Sequence, residues 1–220
     1  MLLSMNVIEL FSSIDGEGKR QGFLTTFLRL HDCNIRCSYC DTLYSYGPES
    51  TFESMSVQAV ADVIEQLENH RITVTGGEPL LQEPAIIELI DELTRRNARY
   101  DFNIETNGTI IPSFHRDNVW FTYDYKTPSS LAEDAMNLDI FKVATPADII
   151  KFVVGSVQDL DRMDEILKTY PTDAQIFVSP VWGNIEGATI VDYMKAHNWQ
   201  NVRFQLQIHK FIWDPDAKGV

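Results

Sequence analysis

Three cysteines, the only ones in the chain, lie within eight residues as Cys33, Cys37 and Cys40. Their spacing is C-x3-C-x2-C, and thiolates are soft ligands that select zinc, copper(I) or iron–sulfur clusters. A closed structural zinc site takes four protein ligands. A [4Fe–4S] cluster bound by three thiolates instead has one iron without a protein ligand, where a small molecule can bind. The three thiols therefore indicate a metal or cluster site with an open coordination position.

Two other interpretations of the cysteines stay open. His31, two residues before Cys33, could complete a Cys3His zinc site, although zinc-binding cysteines usually come as pairs of C-x2-C hooks and these form one continuous loop. A disulfide is disfavoured, because an odd and tightly bunched set of cysteines without secretory context indicates metal or redox chemistry.

The cysteine loop resembles the C-x3-C-x2-C motif of the radical S-adenosylmethionine (SAM) superfamily. The resemblance implies that Cys33, Cys37 and Cys40 bind a [4Fe–4S] cluster whose open iron chelates the amino and carboxylate groups of SAM. It also implies that an electron from the cluster cleaves SAM to a 5′-deoxyadenosyl radical. Tyr39, inside the loop, is expected beside the adenine, and a packing aromatic is the alternative.

Strand and helix patterns alternate along the chain that must position this loop. The apolar run 25–30 predicts a strand in which Arg29 is the one charge, and the cysteine loop begins at its end. Further strands are predicted at 72–75, 101–105, 119–123, 149–154, 175–179 and 202–206, and helices at 57–68, after Pro79, at 159–169 and around 188–197. The stretch 43–54, rich in Tyr, Ser, Gly and Pro, is predicted to be irregular.

The repeated βα order predicts a parallel sheet with right-handed crossovers. An eight-unit barrel typically needs about 250 residues, so a chain of 220 residues is too short to close one comfortably. We therefore predict an α/β fold, a partial (open) TIM-like barrel of the radical SAM type with about six or seven mostly parallel strands. A single domain over residues 1–220 accounts for the whole chain.

The unusual polar motifs all follow predicted strands. In parallel α/β folds ligands bind at the C-terminal edge of the strands. The cysteine loop is expected at that edge together with Thr75-Gly76-Gly77-Glu78-Pro79, Glu105-Thr106-Asn107-Gly108, Asp124-Tyr125-Lys126 and Ser179-Pro180. One rim therefore collects the candidate site.

Several of these motifs also have a structural interpretation. Gly76 and Gly77 could form a strand-to-helix turn with Pro79 at the first helical position. Beside the cysteines the motif resembles the Gly-Gly-Glu-Pro motif of radical SAM proteins, which implies that Gly77 and Glu78 bind the amino group of the methionine moiety. Glu105 is either a solvated carboxylate or an acceptor for ribose hydroxyls.

A more specific resemblance, to the 7-carboxy-7-deazaguanine synthase family, covers nearly the whole length. Its residues are Glu9-Leu10-Phe11, Asp15-Gly16-Glu17-Gly18, Gly22, Phe27-Leu28-Arg29, the cysteines running into Asp41-Thr42, the three later rim motifs just given that begin at Thr75, Glu105 and Asp124, and Leu206-Gln207-Ile208-His209-Lys210. Two positions depart from the family pattern. Asp15 stands where Gln is usual, and Tyr39 stands where Trp is frequent, but neither change removes a ligand.

This resemblance implies that the substrate is 6-carboxy-5,6,7,8-tetrahydropterin, which a radical rearrangement converts to 7-carboxy-7-deazaguanine with loss of ammonia. Arg29 would pair with the substrate carboxylate, unless it forms a salt bridge that caps the barrel. The backbone of Ile14, Asp15 and Gly16 and the carboxylate of Glu17 would bind the pterin edge, and Thr75 and His209 would complete the pocket. His209 as an ordinary packed histidine is the alternative.

The resemblance also implies the remaining cofactor contacts. Thr42 would ligate Mg2+, which prefers oxygen ligands and keeps waters, and a plain helix cap is the alternative role. Cofactor contacts are further expected from Cys40, Asp41, Asp124, Tyr125 and Lys126. Whether the tail from Trp213 to Val220 reaches the site is left open by the sequence.

Composition limits the partners. The net charge of −14, with dispersed Lys and Arg, disfavours nucleic acid. The chain has no basic leader and no apolar run of membrane-spanning length, which predicts a cytoplasmic protein without membrane contact. The family resemblance implies a homodimer and a low-potential electron donor such as flavodoxin or ferredoxin. A glycyl-radical-enzyme activating protein and a non-catalytic zinc-binding module stay as alternative functions.

Overall fold

A computed structural model describes residues 3–215 and 217–220. The described residues form nine strands: β1 Ser4–Ile14, β2 Leu24–Leu30, β3 Glu53–Ser56, β4 Arg71–Gly76, β5 Asp101–Thr106, β6 Val119–Tyr125, β7 Ile149–Val154, β8 Gln175–Pro180 and β9 Val202–Phe204. The α-helices among them are α1 Val57–Gln66, α2 Glu83–Arg96, α3 Ile140–Val143, α4 Val157–Thr169, α5 Gly187–Ala196 and α6 His209–Ile212. None of these helices is long and apolar enough to cross a membrane.

All nine strands belong to one open sheet in the order β3-β1-β2-β4-β5-β6-β7-β8-β9. Strands β2 and β4 to β9 are parallel neighbours. Strand β1 runs antiparallel to both β2 and β3. The predicted α/β fold is therefore confirmed, with seven parallel strands as predicted and two antiparallel strands added at one edge.

Strand β3 lies partly in the stretch that was predicted to be irregular. It is only four residues long and its side chains are exposed or half-buried, so it has no buried face that would produce an alternating pattern. Its backbone pairs with β1 from Ser4 to Val7. This segment is a strand because its backbone pairs with β1 at the edge of the sheet, and the local sequence does not predict that pairing.

The helices cover one face of the sheet with their apolar sides. Ser56 caps helix α1, because its hydroxyl accepts a hydrogen bond from the Ala59 N–H at 3.2 Å, and the helix buries Val57, Val60, Ala61 and Ile64. Helix α2 buries Ala85, Ile86, Leu89, Ile90 and Leu93, while Ile87 is only partly buried. The predicted helical faces therefore pack as the 3.6-residue periodicity indicates.

The two faces of the sheet differ in chemistry because successive side chains of a strand point to opposite sides. On the helix side the strands place Leu28, Leu30, Ile72, Val74, Phe102, Ile104, Tyr123, Ile150 and Phe152, which belong to the hydrophobic core. The intervening positions include Arg29, Thr75, Glu105, Asp124 and Lys151, and these line a cavity on the other face. A buried polar inner face is what the fold provides for a ligand.

Candidate functional site

A cavity of about 260 Å³ opens on this polar face and collects the cysteine loop, the strand ends and the C-terminal segment. It is lined by the predicted residues Ile14, Asp15, Gly16, Glu17, Arg29, Cys33, Cys37, Tyr39, Cys40, Asp41, Thr42, Thr75, Gly77, Glu105, Asp124, Lys126 and His209. The predicted residues Glu78 and Tyr125 do not line it. The cysteine loop and the motifs that begin at Thr75, Glu105 and Asp124 are therefore gathered at one rim as predicted, whereas Ser179 and Pro180 do not line the cavity.

The three cysteines are free and half-buried, and all three line the cavity. Burial raises the pKa of the Cys37 thiol to about 11 and also raises the pKa of Cys33. Thiols of this kind become thiolates when a cationic metal binds, and metal binding then releases protons. Asn107 holds the start of the loop, because its amide donates to Asn34 Oδ1 at 2.8 Å and lies 3.7 Å from Cys33 Sγ.

Gly77 lets the backbone after β4 pack directly against the cysteine loop. A Cβ at this position would lie 1.9 Å from the Asp32 carbonyl oxygen and 2.8 Å from Cys33 Cβ, so only glycine fits. The Glu78 N–H donates to the same Asp32 carbonyl at 2.7 Å. The glycine pair thus permits both the strand-to-helix turn and the close approach of the backbone to the cysteine loop.

Glu78 has a different place from the one predicted. Its side chain is fully buried, and its carboxylate accepts hydrogen bonds from the Leu80 N–H at 2.9 Å, the Thr106 hydroxyl at 2.9 Å and the Asn107 N–H at 2.7 Å. Burial raises the pKa of this carboxyl, and the N–H donors oppose the shift. Its side chain therefore positions Asn107, which in turn contacts the cysteine loop, and does not itself reach the cavity.

Tyr125 also lies away from the cavity. Its ring packs against Phe152 and Phe141 with centroid distances of 4.9 and 6.0 Å, and its phenol donates to Glu133 at 2.9 Å. The reason is strand alternation, since Asp124 and Tyr125 are adjacent in β6 and point to opposite faces. The predicted contact of Tyr125 with a cofactor has no support in this placement.

Asp124 and Lys126 form an ion pair at 2.9 Å on the cavity side. The second carboxylate oxygen of Asp124, Oδ1, is buried and has no hydrogen-bond partner among the described residues. A buried acceptor without a donor costs free energy unless a ligand supplies one. Tyr39, whose hydroxyl donates to the Val153 carbonyl at 3.2 Å, borders the same region.

Two acids that line the cavity, Glu105 and Asp15, are shielded from solvent. Glu105 accepts a hydrogen bond from the Thr75 hydroxyl at 3.1 Å, and Asp15 accepts one from Thr73 at 3.2 Å. Burial raises the pKa of Glu105 to about 7, with Lys151 opposing the shift, and burial raises the pKa of Asp15 to about 6. Both carboxyls therefore change charge near neutral pH.

The loop after β1 is joined to the C-terminal segment. Glu17 accepts a hydrogen bond from the Gln207 amide at 2.7 Å and pairs with the Lys151 ammonium at 3.1 Å. The Ile208 N–H donates to the Gly16 carbonyl at 3.1 Å, and a Cβ on Gly16 would lie 2.0 Å from His209 Nδ1. The two ends of the chain, distant in sequence, thus build one wall of the cavity.

Arg29 forms the salt bridge that was one of its two predicted roles. Its Nε pairs with Glu9 at 2.6 Å, and the Tyr44 hydroxyl donates to the same carboxylate at 2.7 Å. The salt bridge that was the alternative is therefore present. A guanidinium has five N–H donors, so Arg29, which lines the cavity, keeps donors for a further carboxylate.

Thr42 and Asp41 follow the last cysteine. The Thr42 hydroxyl lies 3.6 Å from Cys40 Sγ and makes no cap hydrogen bond to the short helical turn that follows. The alternative role of a helix cap is therefore wrong for its side chain. Asp41 pairs with Lys210 at 3.4 Å, and although burial opposes it, Lys210 and Arg29 hold the pKa of Asp41 below its usual value.

Sequence reasoning missed several residues that line the cavity. Lys151 is the only charged residue in β7 and could have been found by the same signal that marked Arg29. The tail residues Pro215, Ala217, Gly219 and Val220 also line the cavity, which answers the question that the sequence left open. No local pattern in the tail indicates this, because its position depends on contacts with distant elements.

The donor set fits the cluster that the sequence indicated. Three soft thiols line one cavity beside a glycine that permits close approach. Among the described residues no three His, Cys, Asp or Glu side chains form a site for a single metal ion. Three thiolates of a cubane bind three different irons and need not converge on one point.

Comparison with known proteins gives the relationship directly. The model of the radical SAM superfamily matches residues 29–137. A 7-carboxy-7-deazaguanine synthase from Clostridium acetobutylicum is 38% identical over an alignment of 223 residues, which covers 99% of this chain and 100% of that protein. A second one, from Methanospirillum hungatei, is 36% identical over 96% of this chain and 86% of that protein.

A solved structure agrees in fold. The crystal structure of QueE from Escherichia coli has a TM-score of 0.69 and 24% sequence identity, and the alignment covers 92% of this chain and 93% of that chain. The sequence similarity to the synthases over almost the whole chain decides against a zinc-binding module and a glycyl-radical activating protein. The chain belongs to the 7-carboxy-7-deazaguanine synthase family of the radical SAM superfamily.

Proposed function

We propose that this chain converts 6-carboxy-5,6,7,8-tetrahydropterin to 7-carboxy-7-deazaguanine and ammonia. The observation that carries the proposal is that one cavity joins the cysteine loop to the wall formed by Glu17, Gln207 and His209. The sequence similarity to the Clostridium acetobutylicum synthase extends over 99% of this chain and 100% of that protein. The product and ammonia together contain all the atoms of the substrate, so the conversion needs no net oxidant.

Cys33, Cys37 and Cys40 would hold a [4Fe–4S] cluster, and Gly77 would bring backbone against the bound SAM. When bound, the reduced cluster and SAM supply a 5′-deoxyadenosyl radical. The protein's part is binding, orientation and exclusion of water. The unpaired oxygen of Asp124 and the carboxylate of Glu105 are the acceptors available for the ammonium and hydroxyl groups of the cofactor.

The substrate half of the cavity offers complementary groups for a carboxypterin. An ionised carboxylate accepts two strong hydrogen bonds, so Glu17 would bind the two adjacent N–H groups of the pterin edge. The donors of Arg29 that Glu9 does not use would bind the substrate carboxylate. Thr75, His209 and the backbone from Ile14 to Gly16 would complete the contacts.

Thr42 would contribute one oxygen ligand to Mg2+. Its hydroxyl lines the cavity next to Cys40 and is not used as a helix cap. Mg2+ takes few protein ligands and keeps waters, so substrate oxygens would supply the rest. The metal would orient the substrate carboxylate.

The remaining proposals concern the oligomeric state, the location, the number of domains and the electron donor. We infer a homodimer, a cytoplasmic location, one domain over residues 1–220 and a low-potential electron donor such as flavodoxin or ferredoxin. Nucleic acid is not expected as a partner because the net charge is −14. Size-exclusion chromatography with light scattering tests the homodimer, and a monomer at micromolar concentration would contradict it.

The function is tested by anaerobic reconstitution followed by mass spectrometry of the products. With the carboxypterin, SAM, Mg2+ and dithionite, we expect 7-carboxy-7-deazaguanine, and no product when SAM is omitted. SAM cleavage with the pterin recovered unchanged would show a radical SAM enzyme that acts on another substrate. Omission of dithionite is the matched control for the reductant.

A further inference from the structure

Lys151 is a buried cation in the middle of the parallel sheet. It belongs to β7, whose six residues are all buried and whose other members are Ile, Phe and Val. Only 8% of its side chain is exposed, and it lines the cavity. A buried ammonium is costly unless it is paired, so its neighbours must compensate for the lost hydration.

Those neighbours are carboxylates that come from several elements. The Lys151 ammonium lies 3.1 Å from Glu17 Oε2 and 3.8 Å from Asp124 Oδ2. The charged and titratable groups that act on it or feel its charge are Glu17 after β1, Asp41 in the cysteine loop, Glu105 in β5, Asp124 in β6 and His209 in α6. Burial alone would lower the pKa of Lys151, but Glu17, Asp124 and Glu105 hold it well above its usual value. Lys151 is therefore a permanent cation in the cavity wall.

The two ion pairs of Lys151 are not equivalent. Asp124 has a nearer cation of its own, Lys126, at 2.9 Å, so it does not depend on Lys151. Glu17 has no other cation within salt-bridge distance among the described residues, and its remaining partners are the amides of Gln207 at 2.7 Å and Gln205 at 3.4 Å. Of these two carboxylates, removal of Lys151 would therefore leave Glu17, but not Asp124, without an ion pair among the described residues.

We propose that Lys151 is a positioning residue for the substrate, which holds the Glu17 carboxylate turned toward the pterin edge. This inference rests on the proposed function, because Glu17 is the group expected to bind the pterin. Without the ammonium, less positive charge would balance the carboxylates of Glu17, Glu105 and Asp124 in the cavity, and the Glu17 side chain would be free to rotate away from the pterin edge. Pterin affinity should fall, while SAM affinity should change little.

The test measures two dissociation constants with the reconstituted holoenzyme, that of the carboxypterin in the presence of SAM and that of SAM alone. Lys151→Met should weaken pterin binding about tenfold, the size expected for one hydrogen bond to a charged group. The SAM dissociation constant should change less than about threefold. Lys151→Arg should restore most of the pterin affinity, and Lys142→Met, at an exposed lysine, is the matched control.

A double-mutant cycle shows whether Lys151 acts through Glu17. In the Glu17→Gln background, Lys151→Met should cause less than about a threefold further change in pterin affinity. In steady state the single variant should raise KM more than it lowers kcat. If Lys151→Met does not fold, Lys151→Gln, which keeps a donor without the charge, is measured in its place.

Three outcomes would overturn the inference. They are an equal loss of pterin and SAM affinity, an undiminished loss in the Glu17→Gln background, and unchanged pterin affinity in Lys151→Met. If the wild-type holoenzyme binds SAM but not the carboxypterin, the proposed function fails, and this inference fails with it. Wild-type pterin binding together with any of the three outcomes overturns only the role of Lys151.

Discussion

At the scale of single residues, burial changes the acid–base behaviour of the cavity. Glu105 is the clearest case, because burial raises its pKa to about 7 while the ordinary value for Glu is 4.5. Between these two values the native state binds a proton that the unfolded chain has released. The stability of the cluster-free protein should therefore fall as pH rises from about 4.5 through 7.

Glu105→Gln tests this dependence. The variant should reduce the decrease in melting temperature between pH 5 and pH 8, because one proton-linked group has been removed. Part of the decrease in melting temperature with pH should remain in the variant, because Asp15, with a pKa of about 6, still loses a proton in this range. Thermal unfolding followed by circular dichroism measures it, with the exposed Glu49→Gln as control. An unchanged slope in Glu105→Gln would contradict the role of this carboxyl.

The second prediction concerns the three cysteines. Cys33→Ala, Cys37→Ala and Cys40→Ala should each remove SAM cleavage entirely, because each thiolate would bind a different iron of the proposed cluster. Iron and sulfide content and 5′-deoxyadenosine formation measure the effect, and Ser38→Ala in the same loop should retain both. Full SAM cleavage by any one cysteine variant would contradict its assignment as a ligand.

A third prediction concerns Thr42. Thr42→Ala should require about tenfold more Mg2+ for half-maximal product formation, the low end of the loss when one partner leaves a metal site. Thr42→Ser, which keeps the hydroxyl, should respond as the wild type does. A Mg2+ titration of product formation gives the result, and identical curves for all three proteins would mean that Thr42 is not a ligand.

At the scale of elements, the sequence predicted the seven parallel strands and helices α1, α2, α4 and α5, but not β3, α3 or α6. It also did not predict which side of a strand each functional residue takes. Apolar periodicity located β7 at residues 149–154 and the packed faces of α1 and α2, because burial against one face produces these patterns. Tyr125 was predicted to contact the cofactor together with its neighbours Asp124 and Lys126. These two neighbours line the cavity, but Tyr125 does not. The position of the Glu78 side chain was not predicted, because its carboxylate is held by Thr106 and Asn107, which are distant in sequence.

Close contact between two elements gives the fourth prediction. In Gly77→Ala the new Cβ would overlap the Asp32 carbonyl, which belongs to the backbone and cannot rotate away. We expect a loss of about 1–3 kcal/mol in the free energy of unfolding, as for other overpacked sites, and a lower iron content after reconstitution. Urea unfolding and iron analysis measure both, and wild-type values would show that the cysteine loop is not held by this contact.

At the scale of the whole molecule, one open sheet separates an apolar face, covered by helices, from a polar face that forms the cavity. Fold class and the position of the site followed from sequence, since βα order and polar strand ends are local patterns. The antiparallel β3 edge, the Gly16–His209 contact and the approach of the tail to the cavity did not follow. These features depend on pairing between segments far apart in the chain.

The central claim for the whole molecule is that a single cavity holds the pterin beside the adenosyl group of SAM. The most direct test uses carboxypterin labelled with deuterium at C6, followed by mass spectrometry of SAM recovered from the reconstituted enzyme. The account predicts that deuterium is transferred into SAM while 7-carboxy-7-deazaguanine forms. Product that forms while all the deuterium stays in the pterin skeleton or passes only to water would contradict it.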